Sequence, residues 1–200
     1  MKKKLFIYSI APFIWLWYFP IICCYLFSNR RWLIDSDVER WKAHQPHIYN
    51  SMDSAIVSFL ITLCLRNEFR KQCIWRLGGG KMLLLNMIYG NCSSLYMERP
   101  ARIGKGLMVV HGSGTVIGGG AVIGDNLTIY QNATIGFQNG FPTIGNNVFI
   151  GAGAIVIGKI KVGNNVKIGA GAVVVNDVPD DCTVVGPKAM IIYKKQITHN

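Results

Sequence analysis

Four histidines occur in the chain, His44, His47, His111 and His199, and only His111 sits in a run of small residues, His111-Gly112-Ser113-Gly114. Neutral imidazole is the usual general base for a hydroxyl near pH 7. A histidine at a glycine-rich turn can reach both solvent and substrate; a histidine merely tolerated in a turn is the plainer reading. His44 and His47 flank Gln45-Pro46, and Pro46 breaks the helix that would align them as ligands. No acidic third ligand is near, so no metal is expected. Cys23, Cys24, Cys64, Cys73, Cys92 and Cys182 form no Cys-x-x-Cys pair and read as free thiols of a reducing compartment. The Gly-x-Ser-x-Gly hydrolase elbow is absent as well.

The element that must position His111 is visible as a repeat. Ile117, Ile123, Ile129 and Ile135 are six residues apart, as are Ile144, Ile150, Val156, Val162, Ile168 and Val174. The step from Ile135 to Ile144 is nine, which places one three-residue insertion in FQNGFP. A period of six is neither helical nor a plain alternating strand, and it marks a solenoid of short parallel strands. Three hexapeptides make one triangular coil, with an aliphatic residue pointing inward from each and Gly or Asn at the corners. His111 falls where the period breaks, since Val109 to Ile117 is eight.

The chain divides near residue 102. Residues 1–102 hold 14 of the 21 Lys/Arg and 6 of the 10 Asp/Glu, a net +8, while residues 103–200 carry the other +3 and 18 of the 22 glycines. A chain that is 50% hydrophobic is not disordered, and glycine without a period of three is not collagen. The net charge of +11 and pI of 9.5 suggest nucleic acid or anionic lipid as a partner. Lys2-Lys3-Lys4, an uncharged and mostly apolar stretch from Leu5 to Asn29, and Arg30-Arg31 follow one another. That stretch is long enough for a bilayer core of roughly 30 Å. Pro12 and Pro20 would bend it, so a segment that spans and one that turns back are both open. Membrane attachment is expected rather than a buried helix. The basic clusters, with no nucleic-acid motif beside them, read as contacts with an anionic membrane surface. Helices are expected in Asp35–Trp41, Ser51–Arg76 and Met82–Tyr89.

The repeats, with the stretches RPARIGKGLMVVHGSGTVIG, IGAGAIVIGKIKVGNNVKIGAGAVVV and VPDDCTVVGPKAMII, resemble the hexapeptide-repeat acyltransferases in their serine acetyltransferase-like branch. The likeness is drawn nearest to members found with capsule, exopolysaccharide and O-antigen synthesis, and covers Arg99 to about Ile192. It implies a mainly β chain: a left-handed parallel β-helix with an N-terminal membrane-associated helical region. The expected divisions are 1–30 membrane segment, 31–100 helices, 101–192 β-helix and 193–200 tail. The resemblance makes His111 the catalytic base, with Glu98 the candidate to orient it. It also implies acetyl-CoA as co-substrate, held by Gly136, Ala152 and Ala170 with Lys167 and Lys188 at its phosphates, in a groove between subunits of a homotrimer.

Three departures from serine acetyltransferases bear on the acceptor. Met97-Glu98-Arg99-Pro100 stands for an Asp-Ile-His-Pro motif, Val110 for an Asp before the base, and Phe141-Pro142 for a His-Pro in a longer loop. The expected function is therefore acetyl transfer to a hydroxyl of a cell-envelope saccharide, lipid-linked, at the bacterial cytoplasmic membrane with the coil facing the cytosol. Serine O-acetyltransferase of cysteine biosynthesis is the alternative, and a non-catalytic solenoid scaffold the third reading.

Overall fold

Aliphatic residues spaced by six become neighbours only if three short strands complete one turn of chain, and the strand pairing does this. The structure, a computed structural model, describes residues 16–49, 54–89 and 94–187. Face I pairs β1 (Tyr96–Met97), β4 (Val116–Ile117), β7 (Thr134–Gly136), β10 (Ile155–Ile157) and β13 (Val173–Val174). Face II pairs β2 (Arg102–Ile103), β5 (Val122–Ile123), β8 (Thr143–Ile144) and β11 (Lys161–Val162). Face III pairs β3 (Met108–Val110), β6 (Thr128–Tyr130), β9 (Phe149–Ile150), β12 (Lys167–Ile168) and β14 (Thr183–Val184). Every pairing is parallel. The result is a parallel β-helix solenoid, mainly β in its strand-bearing part, starting ahead of residue 101.

Registry stacks like on like inside it. Met97, Ile117, Ile135, Val156 and Val174 form one buried column. Ile103, Ile123, Ile144 and Val162 form the second. Val109, Ile129, Ile150 and Ile168 form the third. Strand β3 differs in being buried throughout: Val109 faces the coil core, while Met108 and Val110 enter a second core made by helices. A strand covered on both sides reads as an unbroken apolar run, which is why Leu107 to Val110 shows no alternation.

The helical unit precedes the coil. It comprises α1 (residues 16–26), α2 (Arg31–His44), α3 (Pro46–Tyr49), α4 (Ala55–Leu65), α5 (Asn67–Leu77) and α6 (Gly79–Tyr89). Three expectations change. Helix α2 begins at Arg31 rather than Asp35, because Asp35 is occupied in accepting a 2.5 Å hydrogen bond from Tyr25 Oη and pairing with Arg31. The segment expected from Ser51 to Arg76 is two helices, divided where Arg66 turns extended at φ −124° and ψ 103°. The third, the membrane-associated helical region, is not shown by the described residues. Residues 1–15 lie outside the described residues, but α1 buries Ile21, Ile22 and Tyr25 in protein, with Tyr25 stacked 4.0 Å from Phe59. Its other side leaves Trp17 and Phe19 exposed. Among the described residues no helix is long and apolar enough to cross a membrane.

A buried ion pair joins the two parts. Asp37 of α2 and Arg76 of α5 are each about 1% exposed and meet through two contacts of 3.0 Å. Arg76 also donates to the carbonyls of Ile103 and Gly104, and Asp37 accepts from Leu107 N and Gln72 Nε2. Both charges are thereby spent on the corner of the first coil between faces II and III. Burial pushes the Asp37 carboxyl above its usual range, against the pull of Arg76 and the N–H donors.

Asp37→Asn keeps the shape but leaves the Arg76 charge buried and unpaired, and is expected to cost about 3–5 kcal/mol in denaturant unfolding. The double variant Asp37→Leu/Arg76→Met is expected to stay destabilised, since Leu107 N and two carbonyls lose partners worth about 1–3 kcal/mol each. Full recovery in the double variant would show that the backbone bonds contribute nothing.

Candidate functional site

The corner between faces III and I carries His111. Residues 111–115 connect β3 to β4, and the broken period supplies the extra chain this turn needs. His111 sits at φ +49°, a left-handed conformation uncommon for a residue with a Cβ, and its side chain is exposed. Its carbonyl accepts from Ser113 N at 2.6 Å, Thr115 N donates to Gly112 O at 3.1 Å, and the buried Thr115 Oγ1 donates to Tyr130 O at 2.9 Å. The turn is anchored from below, so the imidazole projects from a fixed base.

Along the same edge the lower coils continue as a ladder. Asn132 N donates to Ser113 O, Gly153 N to Gln131 O and Gly171 N to Ala152 O, each at 2.9 Å. Ala152 and Ala170 therefore lie on the edge that bears His111. Gly153 and Gly171 both adopt φ +67°, and a Cβ added to either would meet nothing within 4 Å. The edge is open, with small residues and backbone amides available to an extended ligand.

The remaining predicted residues lie elsewhere. Lys167 is exposed on face III in β12, leading toward this edge. Gly136 ends β7 at the other side of face I, where an added Cβ would touch Ile157 and Thr134 side chains at 3.4 Å. Lys188 is outside the described residues. Glu98 follows β1, at the corner between faces I and II, and accepts from Gly119 N at 3.0 Å. It is one corner away from His111 and does not orient it within the chain, because thirteen residues along a coil of three corners do not return to the same edge. His44 and His47 are exposed, His44 edge-on to Trp41 at 6.1 Å. No cluster of three metal-ligating side chains occurs among the described residues.

One residue escaped the sequence reading. Glu68, in the first turn of α5, packs on the His111 turn: a Cβ at Gly112 would lie 3.2 Å from Glu68 Cγ. The Glu68 carboxylate is half-buried and has no hydrogen-bond or ion-pair partner among the described residues. Helix α5 is held there by Arg66, which bonds Gln45 and lies 4.7 Å over the Trp41 ring, and by Arg70, which bonds Tyr18. Nothing local in the sequence links Glu68 to His111; the one hint was Val110, which stands where an acid was looked for.

The comparisons with known proteins agree with this architecture. Residues 141–176 match the family described as bacterial transferase hexapeptide (six repeats). A serine acetyltransferase of Synechococcus elongatus is 51% identical over 102 residues, covering 48% of this chain and 42% of that protein. The Haemophilus influenzae serine acetyltransferase is 36% identical over 163 residues, covering 79% of this chain and 57% of that protein. The chain thus spans about half the length of these relatives. Among solved structures, soybean serine acetyltransferase superposes with a TM-score of 0.62 at 32% identity, over 82% of this chain and 69% of that one. Entamoeba histolytica serine acetyltransferase isoform 3, in complex with cysteine, gives 0.66 at 27% identity over 96% and 74%.

These findings overturn two expectations. The relatives are serine acetyltransferases and not capsule or O-antigen enzymes, so the cell-envelope saccharide is not the acceptor they point to. The location at the bacterial cytoplasmic membrane falls with the acceptor on which it was built, the relatives being serine acetyltransferases. Of the residues at the three departures from the serine pattern, Met97 and Val110 are buried packing residues here, and the stem of Glu68 from α5 lies against the His111 turn. The chain belongs to the hexapeptide-repeat acyltransferases, in their serine acetyltransferase branch.

Proposed function

We propose that the chain is an acetyl-CoA-dependent serine O-acetyltransferase with His111 as its general base. The observation that carries the reading is the placement of His111 at the head of an open, glycine-lined edge, in a chain whose relatives are serine acetyltransferases. Acetyl-CoA would lie along that edge past Ala152 and Ala170, with Lys167 near its phosphates. A second copy packed beside the edge would close it into a groove, as in the homotrimer that the family resemblance implies.

The chemistry needs no nucleophilic side chain. His111 takes the hydroxyl proton of serine as that oxygen attacks the thioester carbonyl. Backbone N–H groups stabilise the oxyanion. Collapse of the tetrahedral species breaks the C–S bond, and the proton passes from the imidazolium to the departing thiolate, giving O-acetylserine and CoA. Serine also presents an ammonium, and a carboxylate must meet it in a partly desolvated site. Val110 and Met97 cannot, being buried in the two cores; Glu68 stands beside the base and is the residue assigned to that role.

Thiol release from acetyl-CoA by the purified chain is expected to depend on L-serine, and absence of that dependence overturns the reading. His111→Ala is expected to lower kcat about 10²–10⁴-fold with the fold unchanged by circular dichroism. Glu68→Gln is expected to raise KM for L-serine by about 10–100-fold while KM for acetyl-CoA is unchanged, with Glu68→Asp recovering part of the loss. Equal effects on both KM values would make Glu68 a packing residue only.

A further inference from the structure

A cleft of the described residues lies away from the His111 edge. It holds about 580 Å³ and lies where the start of α2 and the end of α5 meet the corner between faces I and II. That size suits a small organic ligand. Arg30, Arg76, Arg99 and Arg102 line it, with Trp75 among its apolar walls, and no carboxylate is part of the lining. Arg76 is neutralised by Asp37, and the nearby Glu98 is occupied by Gly119 N. Arg30, Arg99 and Arg102 therefore converge without an acid between them.

The Arg99 guanidinium lies 5.0 Å over the Trp75 ring and bonds the Trp75 carbonyl, so it is held in place. Burial, with the charge of Arg30 behind it, lowers the Arg99 pKa, the direction expected of a cation awaiting a counter-charge.

We propose that this cleft binds a phosphate monoester, its phosphate between Arg30, Arg99 and Arg102 and its organic part against Trp75. Several guanidinium groups lining one cleft suit a dianion with three free oxygens better than a single carboxylate. The apolar wall gives a monoester an advantage over inorganic phosphate. The site is separate from the acetyl-CoA edge, being on another corner of the coil, and it does not depend on serine being the acceptor.

Calorimetric titration of the full chain at low salt, with phenyl phosphate and with inorganic phosphate, tests it. Phenyl phosphate is expected to bind more tightly than inorganic phosphate, and Arg99→Gln and Arg102→Gln each to weaken it about tenfold or more. Arg102 is exposed, so its variant is expected to fold even if the Arg99 variant does not, and Lys161→Gln on face II is expected to change nothing. Saturating acetyl-CoA is expected to leave phenyl phosphate bound. Absence of binding, binding indifferent to both arginine substitutions, or displacement by acetyl-CoA but not by its 3′-dephospho form would each overturn the proposal, the last by assigning the phosphate to the coenzyme.

Discussion

The Asp37–Arg76 pair is the interaction on which the placement of everything else rests. Two opposite charges removed from water are costly unless each is also hydrogen-bonded, and here each is. The partners beyond the pair are backbone groups of Ile103, Gly104 and Leu107, so the cost is met only when α2, α5 and the first coil are together. A hydrophobic contact between the same elements would allow sliding, whereas a bidentate pair bonded to three particular backbone groups does not. Gln72, which donates to both Asp37 and the Leu107 carbonyl, and Arg40, which donates to Thr128 Oγ1, extend the same lock.

Both proposed sites follow from that lock because both lie at the ends of α5. Its first turn brings Glu68 to the His111 turn, and its last turn brings Trp75 to Arg99. The coil then assigns different work to its three corners. Between faces II and III, Asn126, Asn147, Asn165 and Asp181 hold left-handed conformations and bond one another in a ladder of 2.8–3.0 Å. A ladder of that kind satisfies the corner internally and leaves little for a ligand. Between faces I and II, the ring of Phe141 packs on the backbone at Gly118 and Gly120, filling the corner beneath the arginine cleft. Between faces III and I, glycine and alanine leave the edge open, and that is where His111 stands.

Different parts of this were legible to different degrees. Ile117 to Val174 announced the coil, because a repeating backbone needs a repeating side chain at each inward position. His111 was singled out by a break in the same rhythm. Ala152 and Ala170 came to the His111 edge because they share one phase of the repeat, whereas Gly136 and Glu98 were judged by motif alone and lie at another corner. The part of the apolar front that the structure describes, α1, buries one side in protein and exposes Trp17 and Phe19 on the other, a division that composition alone does not reveal. Ile21, Ile22 and Tyr25 find Phe59, Leu63 and Phe69 in the second core, and those partners are more than thirty residues away in sequence. The saccharide acceptor was inferred from absent acids at 97 and 110, and the relatives, which are serine acetyltransferases, point away from it.

The sequence by itself determined the solenoid, its inward columns and the corner that carries His111, since all three are periodic properties and periodicity survives without a fold. Only the tertiary structure decided which charges are shared. Asp37 with Arg76, Glu68 with the His111 turn, and Arg99 with Trp75 are separated by 39, 43 and 24 residues, and each pair meets only because α5 crosses the first coil. Contacts at such separations are set by packing between elements, and no local pattern of residue types encodes which two will meet.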